Sequence, residues 1–124
     1  MTTGTDAALP ASARRLLTGV GNEAVHAAVG LLAAHRRGFW LDELLDPDSL
    51  LAAAVTWKDG RPWVEWNTVG ELIDRGLPQS SGELAVLAVA ASIGGDYRVN
   101  LRQAMRAMSD RDTRALVATL SEGW

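Results

Sequence analysis

Two histidines, one lysine and no cysteine set narrow limits on the chemistry open to this chain of 124 residues. His26 and His35 fall on one expected helix, at a spacing that turns them to opposite sides at about 100° per residue, so they do not share a metal ion. Glu23 and His26 do share a face, yet a single Glu-x-x-His is half of what a di-iron bundle supplies, and a solvated pair is the plainer reading. The lack of cysteine removes disulfides, iron–sulfur clusters and thiolate zinc sites together. No serine stands in a Gly-x-Ser-x-Gly elbow, and there is no thiol nucleophile. A phosphate-binding loop needs glycines whose amides cradle the anion and a lysine that reaches it, but the one lysine is Lys58, in a segment that reads as a hairpin. Ser80-Ser81-Gly82-Glu83 faintly resembles the signature of transporter ATPases, but without the phosphate loop it has no mechanism, and helix capping accounts for it. Carboxylate pairs such as Asp42 with Asp46 exist, though spacing does not give them the raised pKa that acid catalysis requires. The expectation is a protein that is not an enzyme, with no catalytic residue, no metal ligand and no cofactor.

Two surfaces remain. Arg98, Arg102 and Arg106 recur every fourth residue, with Arg111, Arg114 and Tyr97 nearby, a stripe able to neutralise phosphates or grip an acidic partner. The alternative for that stripe is the solvated outer face of an amphipathic helix. The second surface is aromatic: five of the aromatics are tryptophan, and Trp57, Trp63 and Trp66 crowd one short stretch together with Lys58 and Arg61. Trp63 either packs beneath a neighbouring helix or anchors a partner. The candidate partner-binding residues are therefore Trp63, Lys58, Arg61, Arg98, Arg102 and Arg106. An acidic cluster, Asp42, Glu43, Asp46 and Asp48, offers a counterpart to the arginines, which allows pairing within one chain or association of copies.

The elements that must position these residues are mostly helical. Leu16, Leu17 and Val20 suit a short first helix, and Asn22 is an N-cap for a second that reaches about Arg37, with Val25, Ala28, Val29 and Leu32 on its apolar face. Phe39 to Leu45 reads as a strand entry or one helical turn. Asp46-Pro47 places a capping carboxylate before the residue best suited to the first helical position, so a short helix is expected through Leu50 and Leu51. From Val55 to Trp66 the period becomes alternating around Asp59-Gly60, a preferred pair for a type I′ turn, which predicts a β-hairpin. A two-residue turn pairs Lys58 with Arg61, Trp57 with Pro62, Thr56 with Trp63 and Val55 with Val64. That register puts Val55, Trp57, Pro62, Val64 and Trp66 on the buried face and Trp63 on the other.

Asn67 or Thr68, with Glu71, opens the next helix, and Gly76 with Pro78 closes it. Ser80 to Glu83 is a capping box before Leu84 to Ile93, a run apolar on every side, as a central helix would be. Asn100 caps a helix with Leu101, Ala104, Met105 and Met108 on one face. Ser109 or Asp110 opens the last, with Leu116, Val117 and Leu120 inward. The expected fold class is mainly α (α+β): a compact helical domain around the central apolar helix 84–93 with one β-hairpin at 55–66.

Composition agrees. Hydrophobic residues at 48% and charged residues at 22% are ordinary for a folded domain, and the length suits one domain rather than two. Residues 1–11 are small and polar and read as a flexible tail, and 12–124 as a single domain. The apolar run at 84–93 is about half of the roughly 20 residues a membrane span requires, and the start of the chain does not read as a signal peptide, so cytoplasm is the expected location and a membrane is not an expected partner. A net charge of −3 repels polyanions overall.

The stretches Trp63-Val64-Glu65-Trp66, Leu77 to Glu83, Ala88 to Ser92, Val99-Asn100-Leu101 and Ser109-Asp110-Arg111-Asp112 together resemble small proteins of high-GC actinobacteria, over about residues 55 to 121. Abundant alanine, leucine and arginine with a single lysine is what a GC-rich genome produces. The resemblance brings no function with it, and the company such proteins keep implies a mobile-element or phage origin. From the residues themselves, the expected function is a non-catalytic module that contacts another protein, as adaptor, inhibitor or subunit, with self-association a further route. The alternative is a winged-helix-like DNA-binding regulator that uses the hairpin and the arginine stripe, against which stands the absence of any basic residue in the supposed reading helix, Pro47 to Ala54.

Overall fold

A computed structural model describes residues 10–121. Among these residues the chain forms seven α-helices, one 3-10 helix and one two-stranded antiparallel hairpin. In order they are α1 (Ala11–Leu17), α2 (Glu23–Ala34), α3 (Phe39–Leu45), the 3-10 helix (Leu50–Ala54), β1 (Val55–Lys58), β2 (Arg61–Val64), α4 (Trp66–Arg75), α5 (Ser81–Gly94), α6 (Leu101–Ala107) and α7 (Asp110–Ser121). Part of the tail expected at residues 1–11 lies outside the described residues.

The centre is α5. Its start is fixed by the expected capping box: the Ser80 hydroxyl accepts from the Glu83 N–H, and the Glu83 carboxylate accepts from the Ser80 N–H. Every residue from Ala85 to Ala91 is buried, so no side of this stretch faces water, which explains why its sequence has no polar stripe. Each fully buried Leu or Val, such as Leu87 and Val86, contributes about 1.5–3 kcal/mol relative to exposure. Helices α2, α4 and α6 pack directly on α5, and α2 in turn carries α1, α3 and α7. The approach at both ends of α5 is close enough to require glycine. A Cβ on Gly82 would stand 2.8 Å from the Ala107 carbonyl oxygen at the end of α6, and one on Gly94 would stand 2.7 Å from the Trp66 indole at the start of α4.

The hairpin has the expected register, Val55 with Val64 through Lys58 with Arg61. Asp59 and Gly60 both take positive φ, 53° and 76°, as the type I′ turn demands. Its faces differ from expectation. Pro62 is buried and Val55 and Val64 are half-buried, but Trp57 is 50% exposed. The hairpin meets chiefly α1 and the 3-10 helix, and at its outer end Trp57 lies against the Arg15 guanidinium, 5.2 Å from the ring centroid. Trp66, expected on the strand face, is instead the first residue of α4.

Four other boundaries or faces depart from expectation, each for a local reason. Asn22 caps α2 as expected, accepting from Ala24 and Val25 N–H, but α2 ends at Ala34 rather than near Arg37. Arg36, Arg37 and Gly38 all take left-handed backbone, which swings the chain back so that Trp40 is fully buried. Asp46 caps a turn through the Asp48 N–H, and the helix begins only at Leu50, as a 3-10 helix whose cap is Ser49. The amide side chain of Asn67 accepts from the Asp96 N–H instead of capping α4, whose N-cap position is Glu65 with no side-chain bond. Lastly, α6 packs through Ala104 and Met108 and α7 through Asp112 and Leu116, so Leu101, Met105, Val117 and Leu120, expected inward, are exposed. A short helix lying on a neighbour buries a stripe only about one residue wide, and in each case the i, i+4 pair fills it.

Candidate functional site

Alternation along β2 places Trp63 opposite Pro62's face, and with Pro62 buried Trp63 must point outward; it is 40% exposed. Lys58, Asp59, Arg61 and Trp63 line one concavity at the hairpin tip. Arg61 extends beside Gly19, where a Cβ would collide with its guanidinium, so the loop after α1 helps to set its direction. β2 packs on α1, with Arg61 beside Gly19 in the loop after α1 and Arg15 over Trp57, while Trp63 stays exposed on the hairpin's outer face.

The other three candidate residues lie on a different surface. Arg98 is exposed in the loop before α6, and Arg102 and Arg106 are exposed on α6 itself. The loop is held by Tyr97, whose ring rests on Gly70 and whose hydroxyl donates to Asp74 Oδ1 at 2.8 Å. Burial pushes the Tyr97 phenol above its ordinary pKa, and the hydrogen bond and negative charge of Asp74 push it the same way. The hairpin packs chiefly on α1 and the 3-10 helix and α6 on α5, so the six candidates form two separate groups. Among the described residues the charged side chains make two close pairings, Arg36 with the Glu83 carboxylate and the His35 ring with the Asp112 carboxylate, and neither involves Lys58, Arg61, Arg98, Arg102 or Arg106.

Spacing could not reveal those two pairs. His35, at the end of α2, is 4% exposed, and its Nδ1 donates to Asp112 Oδ1 at 2.9 Å from the first turn of α7. His26 goes elsewhere, its Nε2 donating to the Val20 carbonyl at 2.6 Å. Glu83 does more than cap α5. It also receives Arg36, which lies over the Phe39 ring, and its main-chain carbonyl accepts from the Trp40 indole N–H at 3.0 Å. The capping box was the visible part of this junction between α3 and α5.

Glu83 gives the fold an acid-sensitive contact. Partial burial pushes its carboxyl up, but the Ser80 N–H, the Arg36 hydrogen bond, the Ser80 hydroxyl and the Arg36 charge outweigh that and hold it below the ordinary value of 4.5. A depressed folded-state pKa contributes stability that is present above the ordinary value and is lost as pH falls through the folded one. Urea unfolding should therefore show the wild type losing more stability than Glu83→Gln as pH drops from about 6 to about 3. Parallel curves for the two proteins would disprove the link.

Among the described residues no three histidine or carboxylate side chains are grouped to hold a metal ion, and no helix is long and apolar enough to cross a membrane. Immediately before the hairpin stands the five-residue 3-10 helix, with Leu51 and Ala54 buried and Leu50 exposed. What the exposed candidates offer chemically is cationic hydrogen-bond donation beside an aromatic face. We found no match between this chain and any protein-family model, curated protein or solved structure.

Proposed function

We propose that the protein is a non-catalytic protein-binding module whose hairpin tip engages an acidic surface of another protein. The observation that carries this reading is Trp63, a large ring left 40% exposed on a hairpin packed against α1 and the 3-10 helix. Tryptophan and arginine dominate the energetics of protein interfaces, because a broad ring and a planar cation lose little entropy on burial. Lys58 and Arg61 flank Trp63 in one concavity, so the partner that fits supplies an apolar spot ringed by carboxylates. Trp57, on the opposite hairpin face, is already partnered by Arg15 and serves to fix the hairpin.

Affinity purification from the native cell, with wild type and Trp63→Ala side by side, tests this. A stoichiometric protein retained by the wild type should be lost by the variant, with affinity falling about 30-fold, equivalent to the roughly 2 kcal/mol of an interface anchor. Equal retention by both proteins would refute the hairpin as the contact. Nucleic acid in the eluate, lost with Lys58→Glu, would favour the DNA-binding alternative instead.

A further inference from the structure

We infer that the protein pairs with a second copy of itself, the acidic surface around Asp42 and Asp48 of each copy seating on the Arg102 and Arg106 face of the other. This uses residues apart from the hairpin tip and stands or falls independently of it. The basic side is α6, where Leu101 and Met105 are exposed along one side of Arg102 and Arg106 because the buried contacts of the helix are Ala104 and Met108. The acidic side runs from α3 into the turn before the 3-10 helix. Asp42, Asp46 and Asp48 are exposed there, and beside them Leu50, at 63%, is the most exposed large hydrophobic residue among the described residues.

Each surface therefore sets exposed apolar side chains beside charges of one sign, and the two signs are opposite. Two such surfaces fit as halves of one interface, Leu50 against Leu101 and Met105 with the opposite charges paired alongside. No ion pair among the described residues joins the two surfaces within one chain, although both are solvent-exposed. They lie on elements with different main packing partners, α3 on α1, α2 and the 3-10 helix, α6 on α5. Complementarity left unused within a chain is available between chains. Two copies related by a two-fold axis use both surfaces twice and close the assembly, since each acidic patch meets the other copy's arginines.

Light scattering on the full chain, in about 0.05 M and about 1 M salt, reads the result, because exposed charge pairs are screened when the Debye length falls to roughly 3 Å. The expected outcome is a dimer in low salt whose dissociation constant rises at least about 10-fold in high salt. Arg102→Glu with Arg106→Glu should give a monomer, as should Asp42→Arg with Asp48→Arg, each with unchanged circular dichroism. An equimolar mixture of the two double variants should restore a one-to-one dimer, because both contacts are then opposite in charge, one as in the wild type and one with its signs exchanged. A wild type that stays monomeric in low salt, a dimer indifferent to salt or to the charge reversals, an open series of larger species, or folded variants that do not associate when mixed would each overturn the proposal.

Discussion

Asp112→Ala is expected to destabilise the protein by about 3 kcal/mol in urea unfolding, and by roughly 10 °C in melting temperature. The reason is what the substitution leaves behind rather than what it removes. His35 is buried, its Nε2 has no hydrogen-bond partner among the described residues, and Nδ1 has Asp112 alone. Without the carboxylate the ring keeps two polar nitrogens out of water with nothing to bond, which costs more than the bond itself contributed. The effect is also long-range in the chain, since this contact and Leu116 are the buried points at which α7 is held against α2. A second variant separates the pair from the packing. His35→Leu with Asp112→Leu replaces both partners by apolar groups and should be more stable than Asp112→Ala, because no orphaned polar atom remains. A double variant as unstable as the single one would show that packing, and not the polar pair, sets the cost.

This pair marks the boundary between what the sequence carries and what it does not. Features with a local cause could be read directly: Asp59-Gly60 needs positive φ at two residues, Ser80 and Glu83 satisfy each other's amides, and Leu84 to Ile93 lacks any polar stripe. Each was visible because the residues that create it are neighbours. The reversal at Arg36 and Arg37 was not, since both residues favour continuing α2, and what overrides them is Trp40 sinking into the core several residues later. The outward turn of Leu101, Met105, Val117 and Leu120 was hidden for another reason. Over two or three turns an apolar stripe can be drawn through either of two adjacent sets of positions, and only the neighbour's shape selects one. Strand alternation put Lys58, Arg61 and Trp63 on one hairpin face but left open whether a helix covers Trp63, and their separation from Arg98, Arg102 and Arg106 depends on which helix each element lies against.

Trp40→Ala should have the largest effect of any single substitution, about 4 kcal/mol. The side chain is 0% exposed and is among the largest fully buried groups of the fold, so its loss opens a cavity where α3 meets the start of α5. The indole N–H also donates to the Glu83 carbonyl, and Glu83 in turn holds the cap of α5 and Arg36. Trp40→Phe distinguishes the two contributions, since it keeps most of the ring and removes the donor. If packing dominates, Phe should recover all but about 1–2 kcal/mol, the ordinary worth of one hydrogen bond plus the smaller ring. If the bond to Glu83 is what registers α3 against α5, the loss in Trp40→Phe should approach that of Trp40→Ala, and the acid-dependent stability attributed to Glu83 should shrink with it. Measuring both variants at about pH 7 and about pH 3 decides between these outcomes, because only the second couples the indole to a carboxylate whose pKa the folded state depresses.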